Sequence, residues 1–86
     1  MKASDVILIK KWAVGNPRIA RIRVDSVSSR DQVQYRDGVP TDQTFTIWTV
    51  TGVEVVKSDF SPRRYFGGKT SRWRVHLKKD DFQIVG

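Results

Sequence analysis

The sequence predicts an all-β fold, a small antiparallel barrel of about five strands. Short runs of β-branched and aromatic residues recur along the chain, and clusters of Gly, Pro, Asn, Asp and Ser separate them. This is the pattern of strands joined by turns. The length of 86 residues supplies one modest hydrophobic core and leaves no room for a second. We therefore expect residues 1–86 to form a single domain.

Two strands are predicted in the first third of the chain. Residues 5–12 are mostly β-branched or aromatic and stop before the turn formers of residues 15–17, which favours a strand there over a short helix. Residues 19–27 alternate apolar with charged side chains, as a half-buried strand does. Ile19 is out of phase with this alternation, which indicates a bulge.

The middle of the chain contains the strongest strand signal. Residues 28–31 predict a turn, residues 33–35 a third strand, and the polar run 37–43 a loop. Residues 44–56 are β-formers at almost every position, and the odd-numbered apolar positions stay in phase across Gly52. We therefore predict one long strand kinked at this glycine, with a tight hairpin at the same place as the alternative.

The C-terminal third combines a loop with an alternating strand. Residues 58–71 contain a proline, a Gly-Gly pair and four Ser or Thr residues, so they predict a long loop before the penultimate strand. Residues 72–78 alternate Trp, Val and Leu with Arg, His and Lys, which places an apolar face inward and a basic face outward. The tail after residue 81 predicts a last strand or a helical turn.

The positive charge of the chain is concentrated in one C-terminal stretch. The net charge is +7, from 16 Lys and Arg against 9 Asp and Glu. Residues 57–79 carry this whole excess, because they hold eight basic residues and a single acid, Asp59, whereas the charges elsewhere cancel. The eight basic residues are Lys57, Arg63, Arg64, Lys69, Arg72, Arg74, Lys78 and Lys79.

This basic loop and strand have the residue types of a nucleic-acid contact surface. Guanidinium and ammonium groups neutralise phosphates, aromatic rings stack on unpaired bases, and glycines let the backbone approach the phosphate chain. Clustering the charges also costs self-repulsion that a surface without a partner would avoid. The residues that we predict to contact nucleic acid are Arg63, Arg64, Tyr65, Lys69, Arg72, Arg74 and Lys78.

The aromatic residues of this region also have structural interpretations. Trp73 is predicted to lie in the core on periodicity alone. Tyr65-Phe66 either contacts a ligand or anchors the loop onto the barrel, and the sequence leaves both interpretations open. Trp48 shares a face of the long strand with Val50, so that strand is expected to be central and largely buried.

The first half of the chain resembles the opening of Tudor-like domains, which belong to the SH3-like barrel class. The resemblance rests on the runs VILIKKW, GNPRIARIRVDSV and VQYRDG. They follow the family pattern of a strand ending near an aromatic, a second strand with Arg and Ala, and a third strand closing on an acidic turn. The resemblance implies an SH3-like barrel. It also implies an aromatic cage for a methylated lysine or arginine, built on Trp12 and Tyr35.

The sequence offers little for catalysis or metal binding. There is a single histidine, His76, and no cysteine, so no nucleophile–base motif and no thiolate metal site is indicated. Gly68-Lys69-Thr70 lacks the first glycine of a phosphate-binding loop, because Arg63 stands in its place. Asp80-Asp81 indicates the start of a turn, since neighbouring carboxylates on a strand point to opposite faces. We expect no enzyme activity, no cofactor and no bound metal.

Three functions follow as hypotheses. The first is sequence-tolerant binding of DNA or RNA phosphates through residues 57–79. The second is a protein-interaction adaptor or inhibitor, of the kind that phages and plasmids encode, which docks a basic patch on an acidic surface of a larger complex. The third is a reader of methylated lysine or arginine. No apolar run is long enough to span a membrane and none has the pattern of a signal peptide, so we expect a cytoplasmic protein.

Overall fold

The fold is one antiparallel sheet of five strands, seen in a computed structural model that describes residues 1–13 and 16–86. For residues 11–13 and 16–18 only the backbone is described. The strands are β1, Val6–Ala13; β2, Asn16–Arg36; β3, Val39–Glu54; β4, Arg72–Leu77; and β5, Phe82–Ile84. The prediction of an all-β fold with five strands is confirmed for the described residues.

The strands are arranged in the order β4-β3-β2-β1-β5, and every neighbouring pair is antiparallel. The first four strands follow one another as a meander, and β5 returns to pair with β1. β4 and β5 are therefore the two edges of the sheet. No ladder joins these edges within the described residues, so the sheet is open between them, whereas the sequence predicts a closed barrel.

One face of the sheet curls around a single core. Side chains alternate along each strand, so each strand contributes its apolar face. The buried core residues are Ile7, Ile9, Ala20, Ile22, Val24, Val50 and Leu77. The Trp48 ring on β3 meets the Phe82 ring on β5 edge-on, with centroids 5.4 Å apart and planes at 78°. Because β3 and β5 are not neighbours in the sheet, this contact requires strong curvature.

β2 and β3 form a long hairpin that extends past the rest of the sheet. β1 pairs with β2 only as far as Arg23, and β4 pairs with β3 only from Trp48 onward. Residues 30–47 therefore form a two-stranded projection, here called the arm, whose outer edges pair with no strand in the described part of the chain. The arm turns at Asp37-Gly38, where φ angles of 52° and 77° fit a two-residue hairpin turn.

The arm corrects two predictions. β2 continues through residues 28–31 without a turn, and β3 begins directly after Gly38 instead of after a loop over residues 37–43. Polar residues occupy strands here because β2 and β3 pair with each other while both faces meet solvent. A register shift accommodates the polar run, and the Thr41 hydroxyl donates a hydrogen bond to the Gln34 carbonyl at 2.7 Å.

β1 and β2 pair in an unbroken register where both are described. Ile19 lies opposite Lys10 within this register and is exposed, so the bulge predicted at Ile19 is wrong. The register shift lies instead at Asp25, which has no partner on β3. Of the turn predicted over residues 15–17, Gly15 lies outside the described residues, and the other two residues belong to β2.

β3 passes through Gly52, which confirms one long strand and excludes a hairpin at this position. A Cβ atom on Gly52 would lie 2.2 Å from the Arg23 carbonyl oxygen and 2.6 Å from Ile22 Cγ2. Only glycine lets the backbones of β2 and β3 approach this closely. The bulge at Asp25 lies beside this contact, and bulges bend a strand, so the sheet turns here.

Short turns make up the segment between β3 and β4 and the corner between β4 and β5. Residues 55–71 contain two isolated bridges, Val55 with Pro62 and Arg64 with Thr70. A 3₁₀ turn, Lys79–Asp81, precedes β5, so the tail contains both a helical turn and a strand. In the described residues, no helix has the length and apolar character needed to cross a membrane.

Candidate nucleic-acid interface

β4 presents basic side chains on the outward face of the sheet. The exposed residues are Arg72, Arg74 and His76, and the covered residues are Trp73, Val75 and Leu77. The covered face packs against the core, which turns the basic face to solvent. The predicted alternation over this strand is confirmed, and Trp73 is half-buried beside the core as its periodicity indicates.

Hydroxyl groups of β3 lie beside the basic residues of β4. His76 and Thr49 are directly opposite each other, and His76 Nδ1 lies 3.0 Å from Thr49 Oγ1 in a hydrogen bond. Arg74 lies opposite Thr51. Hydroxyls, like guanidinium groups, donate hydrogen bonds to phosphate oxygens, so Thr49 and Thr51 add suitable donors beside His76 and Arg74.

A buried carboxylate anchors the segment that precedes β4. Glu54 is only 8% exposed, at the end of β3. Its Oε2 accepts a hydrogen bond from the Tyr65 hydroxyl and lies 3.2 Å from Arg63 Nε. The hydrogen bond to Glu54, and after it desolvation, raises the pKa of Tyr65 above its ordinary value of 10.0. Arg63 and Tyr65, both predicted to contact nucleic acid, are thus internal anchors as well.

Residues 64–70 form a small hairpin with Phe66 at its tip. Two backbone hydrogen bonds of 2.9 Å close it, and the Arg64 guanidinium donates to the carbonyl of the second glycine at 3.0 Å. Gly67-Gly68 has φ angles of 83° and 75°, which favour glycine. The Phe66 ring is fully exposed, at 103%. Phe66 is therefore a fully exposed aromatic ring at the tip of this hairpin.

Asp59 is engaged in its own turn. The Ser61 hydroxyl and the Ser61 N–H donate to Asp59 Oδ1 at 2.7 Å and 3.0 Å. These bonds, the hydroxyl first, lower the pKa of Asp59 below 3.8. The contact is therefore intact above that pH and is lost as the pH falls through the folded-state pKa. The one acid in residues 57–79 stays ionised at neutral pH.

The predicted contact residues follow one another beside β3. Pro62 bridges to Val55 just past the end of β3, and β4 continues the same side of the strand from Val53 down to Trp48. We call this side, residues 62–78, the basic edge. Its cations are Arg63, Arg64, Lys69, Arg72, Arg74 and Lys78.

These cations differ in their partners. Arg63 pairs with the buried Glu54, and Arg72 Nη1 lies 3.3 Å from Asp25 Oδ2 on the exposed surface. Lys69 and Arg74 are exposed, and no carboxylate of the described chain pairs with either. Lys69 and Arg74, together with Arg64, are therefore the cations most available to an incoming anion.

A groove of about 790 Å³ opens between the arm and the corner that follows β4. The residues that line it include Tyr35, Phe45 and Trp48 together with Lys78 and Lys79. Lys78 Nζ lies 5.0 Å from the centroid of the Phe45 ring. The other lining residues are Gln32, Val33, Gln34, Thr44, Thr46 and Asp80.

The aromatic cage implied by the Tudor-like resemblance stays a prediction. The Trp12 side chain lies outside the described residues. The backbone of Trp12 pairs with Pro17 at the beginning of β2, whereas Tyr35 lies near the end of β2 and is exposed. Tyr35 instead lines the groove beside the arm.

Two features of the site were missed in the sequence. Glu54 falls on the same face of β3 as Trp48 and Val50, and an acid in phase with core residues is a signal for a buried anchor. No comparable pattern in the sequence indicates the groove. The groove brings Tyr35 and Phe45 next to Lys78, and only the register of β3 with β2 and β4 determines that approach.

The described residues contain no group of three or more His, Cys, Asp and Glu side chains placed to hold a metal ion. The Asp81 carboxylate, considered above as half of a carboxylate pair, accepts the Lys78 N–H at 2.9 Å. It therefore caps the 3₁₀ turn, in agreement with the prediction of a turn at Asp80-Asp81.

The fold and the site define the chain as a small all-β protein with one basic edge. No family model matches it, and neither the curated proteins nor the solved structures compared with it contain a match. The chemistry of the site is therefore the basis for its function.

Proposed function

We propose that this protein binds nucleic acid through the basic edge, with little dependence on sequence. One observation carries the proposal. The exposed Arg74 lies on β4 beside β3, and the exposed Arg64 and Lys69 lie on the hairpin that precedes β4, while the only acid of residues 57–79 is engaged by Ser61. Asp25 pairs with Arg72 on the exposed surface, but the other cations leave the basic edge with a net positive charge, which complements a phosphate backbone.

The elements that carry the cations offer contacts to phosphate and not to particular bases. The basic edge consists of a strand and short turns, and its side chains are arginines, lysines and hydroxyls that suit phosphate oxygens. Contacts to phosphate fix position and orientation but carry no sequence information. Affinity from such contacts falls steeply with salt, since each one releases condensed counterions.

Phe66 supports the same proposal. Its ring is fully exposed, and the flanking positions of the hairpin carry Arg64 and Lys69. An aromatic face between cations stacks on an unpaired base while the cations hold the adjoining phosphates. An exposed phenyl ring without a partner gains nothing for the stability of the fold.

The scaffold for this function is the curled five-stranded sheet, whose strand order is compatible with a partly open SH3-like barrel. The chain forms a meander whose last strand returns to the first, and the Trp48 and Phe82 rings meet across the interior. Leu77 of β4 is fully buried in the core of this sheet. A strand fixed to the core in this way pre-organises its cations and so lowers the entropic cost of binding.

The proposal is tested with a triple variant in which Arg64, Lys69 and Arg74 are changed to Glu. Binding to labelled DNA and RNA oligonucleotides is measured by fluorescence anisotropy at low and at physiological salt. We expect the variant to lose binding at both salt concentrations, because phosphate contacts become repulsive. Arg63 and Arg72 are kept, since changing them would break the ion pairs with Glu54 and Asp25.

The matched control changes three exposed cations outside the basic edge, Lys2, Lys10 and Arg36, to Glu. Each substitution changes the charge by two units, so both triple variants fall from +7 to +1. The control is expected to keep most of the affinity. Equal loss in both variants, or no binding by the unaltered protein, would exclude the basic edge as the binding surface. A single protein partner captured after nuclease treatment would favour the adaptor hypothesis.

A further inference from the structure

The groove beside the arm combines aromatic faces with positive charge. Tyr35 is 61% exposed on the arm, and the half-buried Phe45 and Trp48 lie on β3. Lys78 and Lys79 form the opposite wall, where Asp80 is the only acid among the lining residues. The acids of the arm, Asp31, Asp37 and Asp42, do not line the groove.

The groove is continuous with the basic edge. Lys78 directly follows β4, so it ends the outward basic series of Arg72, Arg74 and His76 and also enters the groove. Its ammonium group lies over the Phe45 ring at 5.0 Å. A phosphate chain that follows β4 therefore reaches the aromatic walls without crossing a carboxylate-rich surface.

We propose that the groove holds unpaired bases, so that the ligand of this protein is single-stranded nucleic acid. The inference rests on the proposed function and specifies its ligand. Aromatic faces stack on bases of any sequence, and neighbouring lysines bind the connecting phosphates. The amides of Gln32 and Gln34 at the wall supply donors and acceptors for base edges.

A duplex does not fit this arrangement. Its bases are paired and stacked on one another, so none is available to an aromatic wall unless the duplex opens. The groove volume of about 790 Å³ lies within the range of sites that bury small organic ligands, whereas a duplex is read from the outside by an element inserted into its groove. The lysines alone would attract a single strand and a duplex alike. The aromatic rings favour the single strand, because only its bases are free to stack on them.

The test compares one labelled oligonucleotide as a single strand and annealed to its complement, with DNA and RNA versions of each. The unaltered protein is expected to bind the single strand more tightly. Tyr35→Ala is expected to weaken single-strand binding by about 5-fold or more, the loss of one stacked base, and to leave duplex binding unchanged. Val39→Ala is the matched control, because Val39 is equally exposed on the arm, at 62%, and lies outside the groove.

Ultraviolet cross-linking followed by mass spectrometry locates the bases independently of any variant. Adducts on Tyr35, Phe45 or Trp48 support the inference. Equal affinity for both forms, with Tyr35→Ala and the unaltered protein indistinguishable, overturns the single-strand inference and leaves the basic edge as a duplex-binding surface. Absence of binding to either form overturns the proposed function itself.

Discussion

Glu54 lies at the end of β3, where its carboxylate accepts the Tyr65 hydroxyl and pairs with Arg63. A buried carboxylate requires such partners, since desolvation without them costs several kcal/mol. About half of the Arg63 side chain is exposed, so solvent screens this ion pair and its contribution to stability is small. The contacts matter chiefly because they fix the beginning of the basic edge.

The Tyr65–Glu54 contact has a measurable consequence at high pH. In a Tyr35→Phe background, the remaining tyrosine is expected to ionise above pH 10.0, because its hydroxyl donates to Glu54. A raised folded-state pKa means that the stabilisation is fully present below pH 10.0 and is lost as the pH rises through the folded-state value. The absorbance of tyrosinate as a function of pH measures the pKa of Tyr65. Adding Glu54→Gln should return the midpoint toward 10.0, and an unchanged midpoint would contradict the contact.

Gly52 is constrained by space rather than by backbone conformation. Gly52→Ala is expected to destabilise the protein by about 3 kcal/mol or more, since the new Cβ overlaps the Arg23 carbonyl at 2.2 Å. Gly38→Ala is the comparison. Gly38 has open space around it but a φ of 77°, so this substitution should lower the free energy of unfolding by about 1–2 kcal/mol. Urea unfolding measures both, and circular dichroism detects a Gly52→Ala chain that does not fold. A Gly52→Ala variant as stable as the unaltered protein would contradict the close approach of β2 and β3 at this position.

At the scale of elements, the arm and the body of the sheet differ in what supports them. β3 pairs on both sides from Trp48 onward, and the body buries Ile22 and Val50. In the arm, two strands pair only with each other, and residues 30–40 are all exposed. An isolated two-stranded hairpin is marginally stable in water. The arm therefore depends on its connection to the sheet.

Amide hydrogen exchange is expected to separate these two parts of the same strands. Amides in residues 30–47 should exchange through local opening, at free energies well below that of global unfolding, whereas those of residues 20–24 and 50–54 should approach the global value. Exchange followed by NMR or mass spectrometry provides the comparison. Equal protection along the whole length of β2 and β3 would show that the arm is stabilised by contacts beyond its own pairing.

The elements that the sequence predicts correctly are those whose two faces differ. The alternation of residues 72–77 reflects an apolar face that is buried, so β4 follows from pattern alone. β3 does continue through Gly52 as predicted, but its buried face is the even-numbered one with Val50, not the odd-numbered one on which the prediction rested. The arm has no buried face, and its polar residues 37–43 resemble a loop. Pairing in register, which no local pattern encodes, makes them a strand.

At the scale of the whole molecule, the proposed interface brings the positive charge to one side. If the basic edge binds single strands, log affinity should fall linearly with log salt, with a slope of about −0.7 per phosphate contact. Arg74→Gln and Lys69→Gln should each reduce the magnitude of the slope by about 0.7 if each makes one such contact. Affinity titrations at several salt concentrations measure the slope. An unchanged slope would exclude either residue as a phosphate ligand.

If the protein binds a single strand as proposed, the tip of the arm limits the path of that strand. Residues 36–43 carry Asp37 and Asp42 against Arg36, so a phosphate chain leaving the groove meets net negative charge there and is turned back toward β4. The favourable path is then confined to the groove and to β4, whose six residues extend about 20 Å. If this proposal holds, a footprint this short would leave most of a long strand uncovered by one molecule, so several copies would fit side by side along it.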